Sequence, residues 1–131
     1  MSQGPPQLWC LDAWAVLQWL DGIQPAAVRV DALMANRPIM SWINLGEVHY
    51  ILLRRALPDV DVTMRQLRRG LTLDLPSPDM ITAAARIKAA WRMAYADAFA
   101  VATANSHGAT LATGDPEIIN GDTAWDVEDL R

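Results

Sequence analysis

The chain has 131 residues, 52% of them hydrophobic and 20% charged, which predicts one folded domain with a substantial core and excludes a largely disordered chain. Its single cysteine, Cys10, excludes an internal disulfide and a cysteine-based zinc site, and it favours the reducing cytoplasm as the location. The net charge of −4 argues against a uniformly basic surface for nucleic acid.

The N-terminal part predicts a tail, a strand and a helix. Residues 1–7 contain glycine and proline without a repeating pattern, so we expect a flexible tail before a single domain over residues 8–131. The apolar run Leu8–Leu11 predicts a central parallel strand ending at Asp12. Ala13–Leu20 is apolar almost all round, which predicts a helix covered by its own domain and by further protein. No basic segment precedes this stretch and no apolar run is long enough to span a membrane, so neither a signal sequence nor a membrane helix is predicted.

Helix and strand patterns alternate along the rest of the chain. Periodicity and the positions of glycine and proline predict helices over 25–36, 44–57, 61–70, 77–91 and 94–106 and strands over 39–43, 71–75, 110–113 and 124–127. Asn44 and Asp61 are the expected N-caps of their helices, and Trp9 and Trp42 are expected in strands as core residues. This alternation predicts an α/β fold, a three-layer α/β/α sandwich with a central, mainly parallel sheet.

Four acidic residues follow the predicted strands closely or begin the helices beside them: Asp12, Glu47, Asp97 and Asp115. Ligands of open parallel sheets bind at the carboxyl ends of the strands, so these acids are expected to converge there. Asp97 is the most informative, because it lies in an almost wholly apolar segment and no Lys or Arg lies between Arg92 and Arg131. A buried carboxylate without a partner costs several kcal/mol, which predicts a cation from outside this segment.

A divalent metal ion would satisfy such a group of acids. Two carboxylates about 4 Å apart repel each other by roughly 4 kcal/mol at an effective dielectric near 20. All-oxygen ligands, in a chain with only two histidines, favour Mg²⁺ or Mn²⁺ over zinc and predict phosphodiester hydrolysis. The alternative is that Asp12 and Asp115 are helix or turn caps and that Glu47 interacts with a helix dipole, which leaves Asp97 unexplained.

The acidic segments resemble the four motifs of PIN domains, in order and at family-like spacing: Leu11-Asp12-Ala13, Leu45-Gly46-Glu47-Val48, Ala96-Asp97-Ala98 and Thr113-Gly114-Asp115. The resemblance implies the three-layer fold, one or two Mg²⁺ or Mn²⁺ ions and endonucleolytic cleavage of single-stranded RNA. The four acids would then be metal ligands or water activators, with Thr113 a supporting hydroxyl and Glu117 a supporting acid outside the ligands.

A compact single domain of this family is similar to VapC-type toxins of toxin–antitoxin pairs, which implies a small antitoxin partner and a homodimer. The antitoxin is expected to cover the apolar first helices. Trp14 and Trp19 lie five residues apart on the first helix, so we expect one of them to contribute to a self-association or antitoxin surface. Packing of both under the second helix is the alternative.

Two positions depart from the family pattern. Trp14 stands where many relatives have a small polar residue, and residues 93–95 supply no Ser or Thr to cap the helix of the third acid. These departures leave open a catalytically weak or inactive PIN-fold binding module. A phosphoryl-transfer domain centred on Asp12 fits poorly, because Trp14 replaces the second Asp of one such class and Lys88 is the only lysine for the other.

The basic residues are concentrated in one segment. Between Arg54 and Arg92 lie eight of the eleven basic residues and four acids, a balance of +4 against −8 for the remainder. Arg54 follows Glu47 by seven residues on the same predicted helix face, which makes it a candidate contact for an RNA phosphate. Three further candidates lie in the short basic helix: Arg65, Arg68 and Arg69. A solvated helix surface has the same pattern.

Overall fold

The computed structural model describes residues 6–120 and 125–131. Its elements, in chain order, are β1 (Trp9–Leu11), α1 (Ala13–Leu20), α2 (Ala26–Met34), β2 (Ile39–Ser41), α3 (Trp42–Arg54), α4 (Val60–Gly70), β3 (Thr72–Asp74), α5 (Pro78–Ala90), α6 (Tyr95–His107), β4 (Thr110–Thr113), α7 (Pro116–Ile119) and β5 (Val127–Asp129). Within the described residues, none of these helices combines the length and apolar character that a bilayer crossing requires.

A five-stranded sheet forms the middle layer, in the order β3-β2-β1-β4-β5, and every neighbouring pair is parallel. Parallel strands need crossover connections, and the crossovers place helices on both faces of the sheet. One buried cluster joins the sheet to α1, α2, α3 and α4, and the other joins it to α5 and α6. The predicted three-layer α/β/α sandwich is confirmed.

The register brings the carboxyl ends of the central strands together. Leu11 of β1 pairs with Ala112 of β4, and Cys10 pairs with Ile39 of β2. The residues that follow β1, β2 and β4 therefore lie along one side of the sheet, which we call the carboxyl edge. The opposite side, where the strands begin, is the amino edge.

The start of α3 differs from the prediction. β2 ends at Ser41, whose hydroxyl accepts a hydrogen bond from the Ile43 amide at 3.2 Å and caps α3. The predicted strand to residue 43 was too long and the predicted Asn44 cap was wrong, because Ser41 provides the same capping oxygen three residues earlier. Trp42 is consequently a helix residue, 39% exposed, and not a core strand residue, whereas Trp9 lies in β1 as predicted. Glu47 lies in the second turn of α3 instead of the first.

Other boundaries also differ from the prediction, and α2 is shorter, Ala26–Met34. α3 ends at Arg54, short of the predicted 57, and Asp59 occupies the cap position of α4, with a left-handed backbone and no capping hydrogen bond from its side chain. The expected cap, Asp61, is in the first turn of α4, where an acid interacts favourably with the helix dipole. The last strand is Val127–Asp129, because Val127 pairs with Leu111 of β4; residue 124 of the predicted strand lies outside the described residues.

Helix α7 was not predicted, whereas α5 and α6 follow their sequence signals. Ser77 caps α5 by accepting a hydrogen bond from the Met80 amide at 3.1 Å, and Gly108 ends α6 in the left-handed conformation. The division into a tail over residues 1–7 and one domain stays a prediction, because residues 1–5 are outside the described part. The side-chain amide of Gln7 donates a hydrogen bond to the Thr110 hydroxyl at 2.7 Å.

Candidate metal centre

Asp12 lies at the middle of the carboxyl edge, immediately after β1, and is 1% exposed. One carboxylate oxygen accepts a hydrogen bond from the Ala15 amide at 2.8 Å and so caps α1, and the other accepts one from the Thr113 hydroxyl. Burial raises the pKa of Asp12 to about 7 against the lowering effect of these two hydrogen bonds, and the charges of Asp115 and Glu47 raise it further. Asp12 is therefore both the N-cap of α1 and a member of the acidic group.

Asp97 lies in the first turn of α6 and is 8% exposed. Burial raises its pKa to about 8, and Asp115 is the neighbour that contributes most to this shift. Asp12 and Glu47 act in the same direction. The cap of α6, Ala94, makes no side-chain capping bond, in agreement with the departure seen in the sequence. The dipole at this helix end favours the ionised carboxylate by at most about 2 kcal/mol, which does not offset the burial that raises the pKa.

Thr113 connects Asp12 to the loop after β4. Its hydroxyl donates to Asp12 and accepts a hydrogen bond from the Asp115 amide at 3.0 Å. Asp115 caps α7 by accepting from the Glu117 amide at 2.9 Å. One carboxylate oxygen from each of Asp97, Asp115 and Glu117 lies within 4.8 Å of the other two. Glu117, expected as a supporting acid, therefore belongs to the closest group of carboxylates.

Glu47 is half-buried on α3, and burial raises its pKa. A hydrogen bond with Asn44 acts in the opposite direction, while the charge of Asp115 raises the pKa further. Asn44 itself is completely buried, and its side-chain amide donates to the Ala96 carbonyl oxygen at 2.9 Å. This hydrogen bond fastens α3 to the start of α6, beside Asp97.

The sequence interpretation missed this role of Asn44. The signal that could have revealed it is an amide one helical turn before Glu47 in an otherwise apolar stretch of α3. The Asn44 side-chain oxygen is buried and has no hydrogen-bond partner among the described residues.

Among residues 6–120 and 125–131, the ion pairs leave the acidic group without a cation. They join Arg29 to Glu128, Arg55 to Asp21, His107 to Asp74 and Arg131 to Asp129. Of the acids at the carboxyl edge, Asp12 and Asp97 are buried, Glu47 and Asp115 are partly buried, and Glu117 is exposed. The charges of Asp12, Glu47 and Asp115 all oppose ionisation of Asp97. The oxygen atoms of these acids fit the preference of Mg²⁺ or Mn²⁺.

The candidate RNA-binding arginines do not join this group. Arg54, at the end of α3, is exposed and lies over the Tyr50 ring at 5.2 Å from its centroid. The arginines of α4, at positions 65, 68 and 69, are also exposed. Gly70 ends α4 and is followed almost directly by β3, whose first residue pairs with the start of β2. The last turn of α4 therefore lies towards the amino edge, at the opposite end of the strands from the acids.

Trp14 forms one wall of the carboxyl edge. A Cβ atom built on Gly114 would lie 2.2 Å from the Trp14 ring, so the ring packs directly on the Gly114 backbone between Thr113 and Asp115. Trp19, further along α1, donates a hydrogen bond from its indole nitrogen to Asp31 of α2 at 3.2 Å. Both rings therefore make contacts inside the domain, and the departure at Trp14 leaves the acids in place.

A parallel sheet between two layers of helices, with these acids at its carboxyl edge, defines an α/β domain with an acidic site at the ends of its strands. The sequence profile of the PIN domain family matches residues 9–122, and the chain belongs to that family. No curated protein sequence matches it significantly.

Solved structures with this fold include the DNA-bound VapBC from Salmonella typhimurium, with a TM-score of 0.76, 15% identity and coverage of 96% of this chain and 100% of that chain. A toxin–antitoxin complex from Klebsiella pneumoniae has a TM-score of 0.74 and 17% identity over 93% and 97% of the two chains. The sarcin-ricin loop cleaving toxin VapC20 of Mycobacterium tuberculosis has a TM-score of 0.71 and 16% identity over 89% and 95%. At these identities the similarity establishes the fold.

Proposed function

We propose that this chain is a Mg²⁺- or Mn²⁺-dependent endoribonuclease that hydrolyses single-stranded RNA, and that it is the toxin of a VapBC-type toxin–antitoxin pair. The observation that carries the proposal is the buried acidic group without a protein cation, in which Asp97 has its pKa raised to about 8. Membership of the PIN domain family and the fold shared with an RNA-cleaving toxin support it.

The chemistry follows from the carboxylate arrangement. Asp97, Asp115 and Glu117 would hold the ion, since their oxygens lie within 4.8 Å of one another, and Asp12 and Glu47 are the further ligands or the groups that activate water. A bound Mg²⁺ or Mn²⁺ lowers the pKa of a coordinated water and stabilises the leaving oxygen of the phosphodiester. Thr113 orients Asp12, and Asn44 keeps α3 against α6 through its hydrogen bond to the Ala96 carbonyl oxygen.

The proposed partners are supported by exposed apolar residues and by the solved structures that share this fold. Exposed apolar side chains on the first helices and the loop between them, Leu20, Ile23 and Val28, suit a small antitoxin, and the fold is shared with chains of VapBC and of a toxin–antitoxin complex. Exposed Tyr50 and Leu53 on α3 suit a homodimer contact. We place the protein in the cytoplasm, with Arg54 and the three arginines of α4 as outer, electrostatic contacts for RNA.

The test is cleavage of a fluorogenic single-stranded oligoribonucleotide by the purified full chain. Cleavage should require Mg²⁺ or Mn²⁺, stop with EDTA, and fall by about a hundredfold or more in Asp97→Asn, because one direct ligand loses its charge. Asp61→Asn, which neutralises an exposed acid of α4, is the matched control and should cleave like the parent chain.

Circular dichroism must report an unchanged fold in both variants. Metal-independent cleavage, or equal activity in Asp97→Asn, would remove the proposed mechanism. RNA binding without any cleavage would favour the alternative, a PIN-fold binding module inactivated at Trp14.

A further inference from the structure

A cavity of about 360 Å³ lies directly beside the acidic group. Its lining consists of Trp91, Arg92, Pro116, Glu117 and Asn120. Glu117 also belongs to the closest group of carboxylates, so the cavity and the candidate metal centre share a residue. A ligand in the cavity would therefore lie next to an ion held by these acids.

Trp91 gives this cavity a fixed aromatic wall. It follows the last turn of α5 and remains partly exposed, while its ring packs edge-to-face on Trp125 with centroids 5.6 Å apart and planes at 87°. Trp125 is buried and donates a hydrogen bond from its indole nitrogen to the Ile118 carbonyl oxygen at 3.4 Å. The buried partner holds the Trp91 ring in place, and a preorganised ring loses little entropy when a flat ligand stacks on it.

Arg92 gives the cavity its positive charge. It is exposed and is the only cation among the described residues that line the cavity. The repulsion that Glu117 exerts on an anionic ligand is relieved once a divalent ion is bound by Glu117, Asp97 and Asp115. An aromatic face beside a guanidinium is the combination that recognises the base and the phosphate of single-stranded RNA.

We infer that this cavity binds one nucleotide of the RNA strand adjacent to the phosphodiester at the metal centre, with its base on Trp91 and a phosphate on Arg92. The inference rests on the proposed function and names the subsite that function needs. The volume is in the range of small-ligand pockets and suits one unstacked nucleotide, not a duplex. The three arginines of α4 do not line this cavity, and their helix ends towards the amino edge.

The first experiment separates substrate binding from catalysis with the fluorogenic oligoribonucleotide and the full chain in Mg²⁺. Arg92→Gln should raise KM by about five- to tenfold, leave kcat within about twofold, and reduce the slope of log KM against log salt by about one. Arg86→Gln is the matched control, because Arg86 is exposed on α5 and does not line the cavity; it should change KM by less than about twofold. Equal KM values and salt slopes in the two variants would overturn the inference.

The second experiment tests stacking. Trp91→Ala should raise KM by about tenfold, and Trp91→Phe, which keeps a ring against Trp125, by less than about threefold. An oligoribonucleotide with an abasic site next to the cleaved bond should be insensitive to Trp91→Phe and Trp91→Ala alike. If Trp91→Ala raises KM equally for the abasic and intact substrates, Trp91 is only structural and the stacking role is wrong.

A cross-link identifies the subsite independently of folding effects. A 4-thiouridine placed beside the cleaved bond should cross-link to the peptide containing Trp91 in the Asp97→Asn chain, as read by mass spectrometry. Cross-links confined to α4 would overturn the inference while leaving the nuclease proposal intact. Absence of both RNA binding and cleavage in the parent chain would instead overturn the proposed function and the subsite with it.

Discussion

The carboxyl edge and the outer surface of α4 are the two strongly charged regions of this domain, and they differ in burial. At the carboxyl edge, Asp12 and Asp97 are 1% and 8% exposed and their pKa values are raised to about 7 and about 8. On α4, three exposed arginines face solvent and make no ion pair within the described residues. Charge that has been removed from water must be compensated by something, whereas charge left in water need not be.

This difference shows why the net charge of a sequence segment alone does not reveal whether its charged residues form a binding site. The local balance of +4 between Arg54 and Arg92 is the larger signal in the sequence, yet the α4 part of it lies on a solvated surface. The buried acids form the weaker signal in a chain of net charge −4, yet they make up the candidate metal centre. The following changes test this difference, beginning with the one expected to have the largest effect.

The stability of the metal-free protein should fall as pH rises. Asp12 and Asp97 have higher pKa values in the folded chain than in the unfolded one, so the folded state binds more protons between about pH 4 and pH 8. Raising the pH from about 5 to about 8 should therefore lower the free energy of unfolding by several kcal/mol, with Asp97 contributing more than Asp12. Urea unfolding in EDTA measures this loss, and saturating Mg²⁺ should remove most of it. Asp61→Asn on α4 should leave the pH slope unchanged, and a flat profile in the parent chain would contradict the raised pKa values.

Adding one methyl group at the carboxyl edge should cost about 2 kcal/mol. In Gly114→Ala the new Cβ meets the Trp14 ring, at 2.2 Å in the present geometry, so the ring or the loop must move. Gly46→Ala is the matched control, because a Cβ there meets nothing within 4 Å and alanine favours the helix; it should be neutral or slightly stabilising. Thermal unfolding of both variants, and of Gly114→Ala combined with Trp14→Ser, measures the coupling. If Trp14→Ser does not reduce the cost of Gly114→Ala, the two residues do not press on each other.

Removing the amide of Asn44 should cost about 1–2 kcal/mol and weaken metal binding. Asn44→Leu breaks the hydrogen bond to the Ala96 carbonyl and leaves that oxygen without its donor between α3 and α6. The Mg²⁺ affinity, measured by isothermal titration calorimetry, should fall because the lost contact joins α3, which carries Glu47, to the start of α6 beside Asp97. The exposed Asn36 provides the control, Asn36→Leu, which should change neither quantity. Unchanged Mg²⁺ affinity in Asn44→Leu would show that Asn44 only packs.

Neutralising single arginines of α4 should have the smallest effect. Arg68→Gln is expected to change the free energy of unfolding by less than about 0.5 kcal/mol and the RNA affinity at 0.15 M salt by less than about twofold. Neutralising Arg65, Arg68 and Arg69 together should weaken RNA binding several-fold at low salt and hardly at high salt, as fluorescence anisotropy would report. A large loss in Arg68→Gln at high salt would mean that α4 contacts RNA directly and tightly.

Sequence reasoning reached the sheet and four of the acids because both depend on local signals. Apolar runs define the strands, and an acid directly after such a run falls at the carboxyl edge by topology alone. The start of α3 was misplaced because Ser41 and Asn44 are both good caps, and only the end of pairing between β2 and β3 decides between them. The place of Glu117 beside Asp97 depends on how α7 packs against α6, which no periodicity in the sequence reports.

The capping bond from Asp12 to the first turn of α1 has a thermodynamic consequence. The Asp12 carboxylate caps α1, the first apolar helix, and it also lies among the acids of the carboxyl edge. A protein that changed the position of α1 would move the Asp12 carboxylate with it, and an ion held by that carboxylate would in turn change the protein's affinity by the same factor. An inhibitor bound to this helix would then not need to contact the proposed metal ligands in order to affect them.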